Sequence, residues 1–333
     1  MTTVTTAPSA SGVGSHPGDD QAAYDHAVRL VLDEEPELPY VPEVPGRGAA
    51  AGMVGRSLAL LSGLAADLQP AGWRLTDASG VDHRRAISLL AQDLDTVEEH
   101  AQEYSGLLKT QVAGPWTLAA SVERPRGDRV LADHGARREL AESLAEGLTG
   151  QVADLRRRVP GATLLVQVDE PALPAVLAGA VPTASGFSRH RSVDAAGAAP
   201  ALQAVLDAIS SAGAEPVVHC CAAEVPFGLL DRVGAPGLSV DLAVLGAEGY
   251  DAVAAALEAG RRVLLGVVPS TRPAGAVPTE GSVTAVVTRF LDMVGLEPSD
   301  RLVLTPSCGL AGADPAWART ALGLCRASAR ALG

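Results

Sequence analysis

The sequence predicts an α/β chain folded as a single (β/α)8 barrel, and three observations lead there. Short β-rich apolar runs alternate with amphipathic helical stretches along most of the chain, the pattern of βαβ units on a parallel sheet. The length, 333 residues, suits one barrel of about 250 residues with insertions. Several of the apolar runs end directly in unusual polar residues, and a parallel barrel gathers such strand ends on one face.

In chain order, residues 1–11 are rich in Thr, Ser and Ala and read as a disordered tail, which leaves 12–333 as the barrel domain. Strands are expected at 11–16, 107–113, 163–168, 215–220, 238–242, 262–268 and 301–306. The eighth is expected between Pro182 and Ser192. Helices are expected at 225–233, 249–259, 282–294 and 314–331. The region 35–77 breaks the alternation: Pro36, Pro39, Pro42 and Pro45 precede a Gly/Ala-rich helix starting near Gly46. It reads as an N-terminal extension and helical insertion folded over the barrel mouth, as functional βα insertions do.

Composition narrows the function classes. The net charge of −13 comes from scattered carboxylates and no basic stripe is present, which argues against a nucleic-acid partner. No stretch approaches 18 uninterrupted apolar residues, so no membrane span is expected. The N-terminus lacks the basic start and apolar run of a signal peptide, and the chain reads as cytoplasmic. Four cysteines in a chain of this length are not a secreted disulfide scaffold. Lys109 stands alone against many arginines, which we read as composition bias without functional meaning.

The chemistry is carried by four motifs. In Val217-Val218-His219-Cys220-Cys221, strand alternation puts His219 and Cys221 on one side and Cys220 on the other. An imidazole and a thiolate two residues apart at a strand end form a clamp for a borderline-soft metal such as Zn2+. A buried cysteine pair beside a core histidine is the plainer alternative. In Pro306-Ser307-Cys308-Gly309-Leu310, a cysteine follows a hydrophobic strand among residues that leave the backbone open. Together with His219 and Cys221 it points to one shared zinc site. A fourth ligand is sought in Asp241, with Glu224 and Glu248 as rivals and a helix cap as the alternative reading.

Val168-Asp169-Glu170-Pro171 places two carboxylates after a buried strand, which is costly unless something cationic meets them. A substrate ammonium would suit Asp169, and a helix cap is the alternative. In Val13-Gly14-Ser15-His16-Pro17, a Gly-Ser turn offers N–H groups and a hydroxyl to an anion such as a carboxylate. His16 could be a base or simply structural. In Gly114-Pro115-Trp116-Thr117, Trp116 either walls the substrate or plugs the rim.

Taken together and in order, Gly14-Ser15, Gly114-Pro115-Trp116-Thr117, Asp169-Glu170-Pro171-Ala172, His219-Cys220-Cys221, Gly266-Val267-Val268 and Pro306-Ser307-Cys308-Gly309-Leu310 resemble the catalytic C-terminal barrel of the cobalamin-independent methionine synthases. That fold is shared with uroporphyrinogen decarboxylases. The resemblance implies a zinc-dependent S-methyltransferase acting on homocysteine, with His219, Cys221 and Cys308 as metal ligands. It puts a carboxylate where Asp241 stands, although the family has Glu there. It implies that Asp169 binds the amino group and that Ser15, with its backbone neighbours, binds the carboxylate. Glu170 and Trp116 join them as substrate-binding residues.

There are departures. The full-length family carries an additional N-terminal barrel that this chain lacks. After Gly266-Val267-Val268 the family continues with Asp and His, the latter a proton donor, where this chain has Pro269-Ser270-Thr271. A Glu expected before the Met53-Val54 helix is replaced by Ala49-Ala50-Ala51. The donor is therefore expected to be methyltetrahydrofolate, its polyglutamate form, or a methylcorrinoid, the last as in short single-barrel relatives and possible on a corrinoid protein. Two other readings are a decarboxylase of the porphyrinogen type, against which the lack of an Arg-rich start counts, and a non-catalytic zinc- or thiol-binding homologue.

Overall fold

The computed structural model describes residues 7–333; of the expected tail, residues 1–6 lie outside them. The chain begins with β1 (Ser9–Ala10), inside the stretch expected as tail. It continues through α1 (Gln21–Glu34), a 3-10 turn at Pro45–Arg47, α2 (Met53–Leu58), the hairpin β2 (Ala65–Gln69) and β3 (Gly72–Thr76), and α3 (Val81–Ala101). There follow β4 (Gly106–Ala113), α4 (Pro115–Ser121), a 3-10 turn at Val130–Ala132, α5 (His134–Arg158), β5 (Ala162–Asp169), α6 (Leu173–Leu177) and α7 (Ala195–Ser211). Next are β6 (Glu215–Cys220), α8 (Phe227–Arg232), β7 (Gly237–Asp241), a 3-10 turn at Leu242–Val244 and α9 (Ala247–Glu258). The chain closes with β8 (Arg262–Val268), α10 (Glu280–Val294), β9 (Leu302–Pro306) and α11 (Pro315–Leu332).

Seven strands form one parallel sheet in the order β1-β9-β8-β7-β6-β5-β4. Six of the seven expected strands fall within a residue or so of their observed places. The first is displaced, from 11–16 to Ser9–Ala10.

The period-2 alternation of strands sorts the core into two parts. Leu164, Val166, Val218, Val240, Leu265 and Leu304 join the large cluster with the helices. Their alternates Leu165, Val217, Leu264 and Val303 form a separate buried cluster with Leu38. Residues from five separate segments meeting in that way place the second cluster inside the curl of the sheet, as a layered plug.

No strand occurs between Pro182 and Ser192. That segment is a turn in which Thr183 N donates to Ser188 O (2.9 Å) and Pro182 bridges Arg189. The space between the sheet's outer strands is spanned instead from the Pro-rich run. Val41 N donates to Lys109 O (2.8 Å) and Lys109 N to Pro39 O (2.9 Å) on the β4 side, while Glu43 N donates to Gly14 O (3.0 Å) and His16 N to Glu43 O (2.7 Å) on the other. Pro39 and Pro42 have no N–H to give, so pairing is interrupted and the segment reads as loop from sequence.

The rest of the insertion is fastened by charge. Asp93 on α3, fully buried, accepts two hydrogen bonds from Arg47 (2.8 Å each) and is also paired with Arg56. No helix among the described residues is long and apolar enough to cross a membrane.

Candidate active site

Register brings the strand ends level: Ala113 pairs with Asp169, Asp169 with His219, His219 with Ser239, and Asp241 with Gly266. Ser15, Glu43, Asp169, His219, Cys221 and Cys308 all line one cavity of about 290 Å3, with Pro45 and Met53 of the insertion at its edge.

At one end of that cavity a ring nitrogen of His219 and the thiols of Cys221 and Cys308 lie within 4.8 Å of one another. The two sulfurs are 3.4 Å apart, far beyond a disulfide bond of about 2.05 Å. They are near the roughly 3.8 Å that two thiolates hold around a tetrahedral zinc at about 2.3 Å from each. His219 Nδ1 is engaged with Ser239 Oγ at 2.8 Å, which fixes the ring and frees Nε2 for the cluster, as an outer-shell partner does for a metal-bound histidine. The donor set fits zinc. The hydrogen bond shared with Cys221 and a second contact with His219 hold the Cys308 thiol down at about 4, and the Cys221 thiol is correspondingly pushed up. Cys220 points the other way into the helix-facing core, as alternation requires, and burial pushes its thiol up to about 11.

Asp241 stands apart from this three-ligand set. Its Oδ1 accepts from Ala243 N at 2.9 Å and caps the 3-10 turn Leu242–Val244. Burial raises its carboxyl.

The other end is carboxylate-lined. Asp169 Oδ1 accepts from Gln167 Nε2 at 2.7 Å, and burial pushes its carboxyl up to about 6 against the opposing pull of His219 and Lys109. Glu43, raised by burial, accepts from Gln111 Nε2 at 3.2 Å and lies 3.7 Å from Arg56 Nε. Glu43, upstream of Ala49-Ala50-Ala51, places an acid on the cavity wall. Ser15 joins the two ends: its carbonyl accepts from Leu310 N (2.8 Å) and its Oγ from Ala311 N (3.3 Å). A Cβ at position 309 would collide with Ser15 Oγ, so Gly309 is what lets this loop close over Cys308.

Two residues expected at the substrate do not line the cavity. Glu170 is fully buried with both oxygens occupied: Oε1 accepts from Trp116 N (2.9 Å), and Oε2 from Thr117 N (2.7 Å) and Thr117 Oγ1 (2.8 Å). It anchors the start of α4, and burial lifts its carboxyl to about 7. Gly114 is required there, because a Cβ would enter the Glu170 carboxylate. Trp116 is buried against α7, its Nε1 donating to Ala198 O at 3.1 Å. His16 is structural: its Nε2 meets Tyr40 OH at 2.6 Å, and burial lowers the ring to about 3. Sequence reasoning missed Glu43, Gln111, Gln167 and Lys109. Their one signal was polar side chains at alternate positions within buried runs.

A parallel α/β fold with a histidine and two cysteines converging at its strand ends, beside a pair of carboxylates, is a barrel-type scaffold whose three donors could hold a metal ion. The sequence matches the family described as "Cobalamin-independent synthase, Catalytic domain" over residues 88–331, and the chain belongs to that family. Among solved structures it is similar to a B12-independent methionine synthase from Shewanella sp. W3-18-1, in complex with selenomethionine. The identity is 14%, 98% of each chain is covered and the TM-score is 0.64, a likeness of fold. It also overlaps methylaspartate ammonia lyase from Clostridium tetanomorphum at 13% identity, over 98% of this chain and 58% of that one; the TM-score of 0.47 carries no argument. No curated protein matches. Family membership supports a methyltransferase of the methionine-synthase type.

Proposed function

We propose that this chain is a zinc-dependent S-methyltransferase that converts homocysteine to methionine, with 5-methyltetrahydrofolate or its polyglutamate form as donor. The observation that carries the reading is the meeting of His219, Cys221 and Cys308, 87 residues apart at its widest step between the two cysteines. We read the architecture as a single (β/α)8 catalytic barrel over residues 12–333, with residues 39–43 standing for its second strand. Four free cysteines, two of them ligands, suit a reducing cytoplasm.

Zinc, when bound, would ionise a thiol whose pKa is otherwise about 8.5. The residues of this chain supply the rest. Ser239 orients His219. Asp169 and Glu43 receive the substrate ammonium, and Ser15 with the Gly14 backbone takes its carboxylate. The ends of one amino acid are thereby fixed so that its sulfur faces the donor methyl, and alignment of that kind removes much of the entropic barrier. The S–CH3 bond forms as the bond from the methyl carbon to N5 of the folate breaks, and N5 takes a proton. With Pro269-Ser270-Thr271 in place of Asp-His, and His16 locked to Tyr40, that proton comes from solvent. Asp241 is the proposed fourth ligand through its uncapped oxygen. Glu170 and Trp116 act by holding α4.

The family's description as cobalamin-independent favours the folate over a corrinoid donor, and the methyltransferase over porphyrinogen decarboxylation. That the Shewanella enzyme was captured with selenomethionine supports an amino-acid ligand of the methionine type. The test is methionine formation by zinc-loaded protein, assayed in parallel with methyltetrahydrofolate and methylcobalamin. Full activity in a metal-free preparation would end the zinc reading, and activity with methylcobalamin alone would reverse the choice of donor.

A further inference from the structure

The one lysine of the chain lies where a cation is expensive. Lys109 is on β4, inside the curl of the sheet, with none of its surface exposed. Isolated ammonium groups are not left in such places without compensation. Its Nζ donates to Val13 O at 2.9 Å and to Gln111 Oε1 at 3.4 Å, and it stands 4.9 Å above the Tyr40 ring. Among the described residues it makes no direct ion pair.

Both of its polar partners lead on to the cavity. Gln111 turns its amide nitrogen to Glu43 Oε1 (3.2 Å) and Val41 O (2.8 Å). The Val13 carbonyl is shared with Gln167 Nε2 (2.9 Å), which also donates to Asp169 Oδ1 (2.7 Å). An unbroken chain of contacts therefore runs Glu43–Gln111–Lys109–Val13–Gln167–Asp169. It also pins the Val13-Gly14-Ser15 backbone that lines the cavity.

We propose that Lys109 is the positioning residue of the amino-acid end of the site: it supports Glu43 through the Gln111 amide and Asp169 through the Val13 carbonyl it shares with Gln167, so that the site selects thiols bearing an α-ammonium group. The inference rests on the reading above, that the ligand is an amino-acid thiol. Its physical basis is the indirect link. A lysine bonded straight to Asp169 or Glu43 would occupy the lone pairs that a substrate ammonium needs. Linked to Glu43 through the Gln111 amide, and to Asp169 through the Val13 carbonyl that Gln167 also meets, its positive charge supports two buried carboxylates at a distance, beside Arg56 at Glu43, and takes a lone pair of neither. Gln111 relays in this way because its amide accepts from Lys109 at one end and donates to Glu43 at the other; Gln167 only donates, to Val13 and to Asp169.

The experiment compares two thiols on zinc-loaded protein by calorimetry, homocysteine and its des-amino analogue 4-mercaptobutyrate. Wild type is expected to prefer homocysteine by about tenfold or more, the scale of a charge-assisted contact. Lys109→Met should reduce that preference to about twofold, with zinc content kept: loss of the Val13 anchor touches both thiols through their shared carboxylate, while loss of support for the two carboxylates weakens homocysteine further. If Lys109→Met does not fold, Gln167→Leu breaks the Asp169 arm, and a smaller loss of preference, about threefold, is expected. Wild type binding the two thiols equally would overturn the amino-acid reading itself. A wild-type preference that survives in folded Lys109→Met, or in Gln167→Leu where that variant decides, overturns the role of Lys109. So does Lys109→Met weakening both thiols alike.

Discussion

The two ends of the cavity are built on opposite plans. The metal end brings together three soft donors from β6, the turn after it and the turn after β9, supported by little more than Ser239 behind His219. The carboxylate end is closed on itself: Glu43, Gln111, Lys109, Gln167 and Asp169 are each held by at least one protein partner before any ligand arrives. One end is a set of donors that, on the proposed reading, a metal completes. The other is preorganised by the chain, and on the proposed reading it receives an ammonium group. Substitutions should therefore separate cleanly into those that remove metal and those that remove discrimination.

The largest effect is expected at Cys308. Cys308→Ala removes one of three convergent ligands, so bound zinc should fall from about one per chain to near zero, and thiol methylation should fall by about a thousandfold or more. Atomic absorption on dialysed protein beside a methionine assay measures both. A variant that keeps its zinc would move the metal elsewhere and break the comparison. Next is Ser239→Ala. Freeing His219 Nδ1 should weaken zinc by about 10–100-fold, the usual cost of losing an outer-shell partner, while the homocysteine preference over 4-mercaptobutyrate at saturating zinc stays put. Competition with a chelator reads the first quantity, and a shift in thiol preference would show that the two ends are not independent.

A third substitution tests the frame and not the cavity. Glu170→Gln replaces one acceptor oxygen by a donor facing the N–H groups of Trp116 and Thr117, and leaves a buried group unsatisfied. A loss of about 1–3 kcal/mol in unfolding free energy is expected, seen as a lower denaturation midpoint, with zinc content unchanged. An unaltered midpoint would mean that α4 does not depend on this carboxylate.

The unequal legibility of the two ends in the sequence has the same origin. His219, Cys221 and Cys308 were readable because metal chemistry needs rare residue types at strand ends, and strand alternation alone separates Cys221 from Cys220. Glu43 was hidden by Pro39 and Pro42, which disguise a sheet-pairing segment as loop. Gln111, Gln167 and Lys109 lie in runs that look like ordinary buried strands, because in a barrel the inward face is also buried. A polar residue there is costly until its partners are known, and those partners lie up to 154 residues away. Glu170 illustrates the converse: a conspicuous carboxylate beside Asp169 faces the other way and serves the scaffold. The β2–β3 hairpin went unread because its strands are only half buried and carry few β-branched residues.

A last effect, read only as a slope against pH, follows from the lysine itself. Burial lowers the Lys109 ammonium from an ordinary value of 10.5 to about 8, against the opposing attraction of Asp169 and Glu43. Between about pH 8 and 10.5 the unfolded chain therefore carries a proton on this side chain that the folded chain has released. Folding stability gains a component that rises with pH across that window, since the unfolded state binds more protons there. Lys109→Met has no such group, so the difference in stability between wild type and variant should change in favour of wild type as pH goes from 8 to 10.5. Groups common to both proteins cancel in that difference. Urea titrations at a series of pH values, run with and without zinc, measure it. If the carboxylate end is preformed, the slope is the same in both series; a slope present only with zinc would mean that the metal end organises its neighbour, and the two plans would then be one.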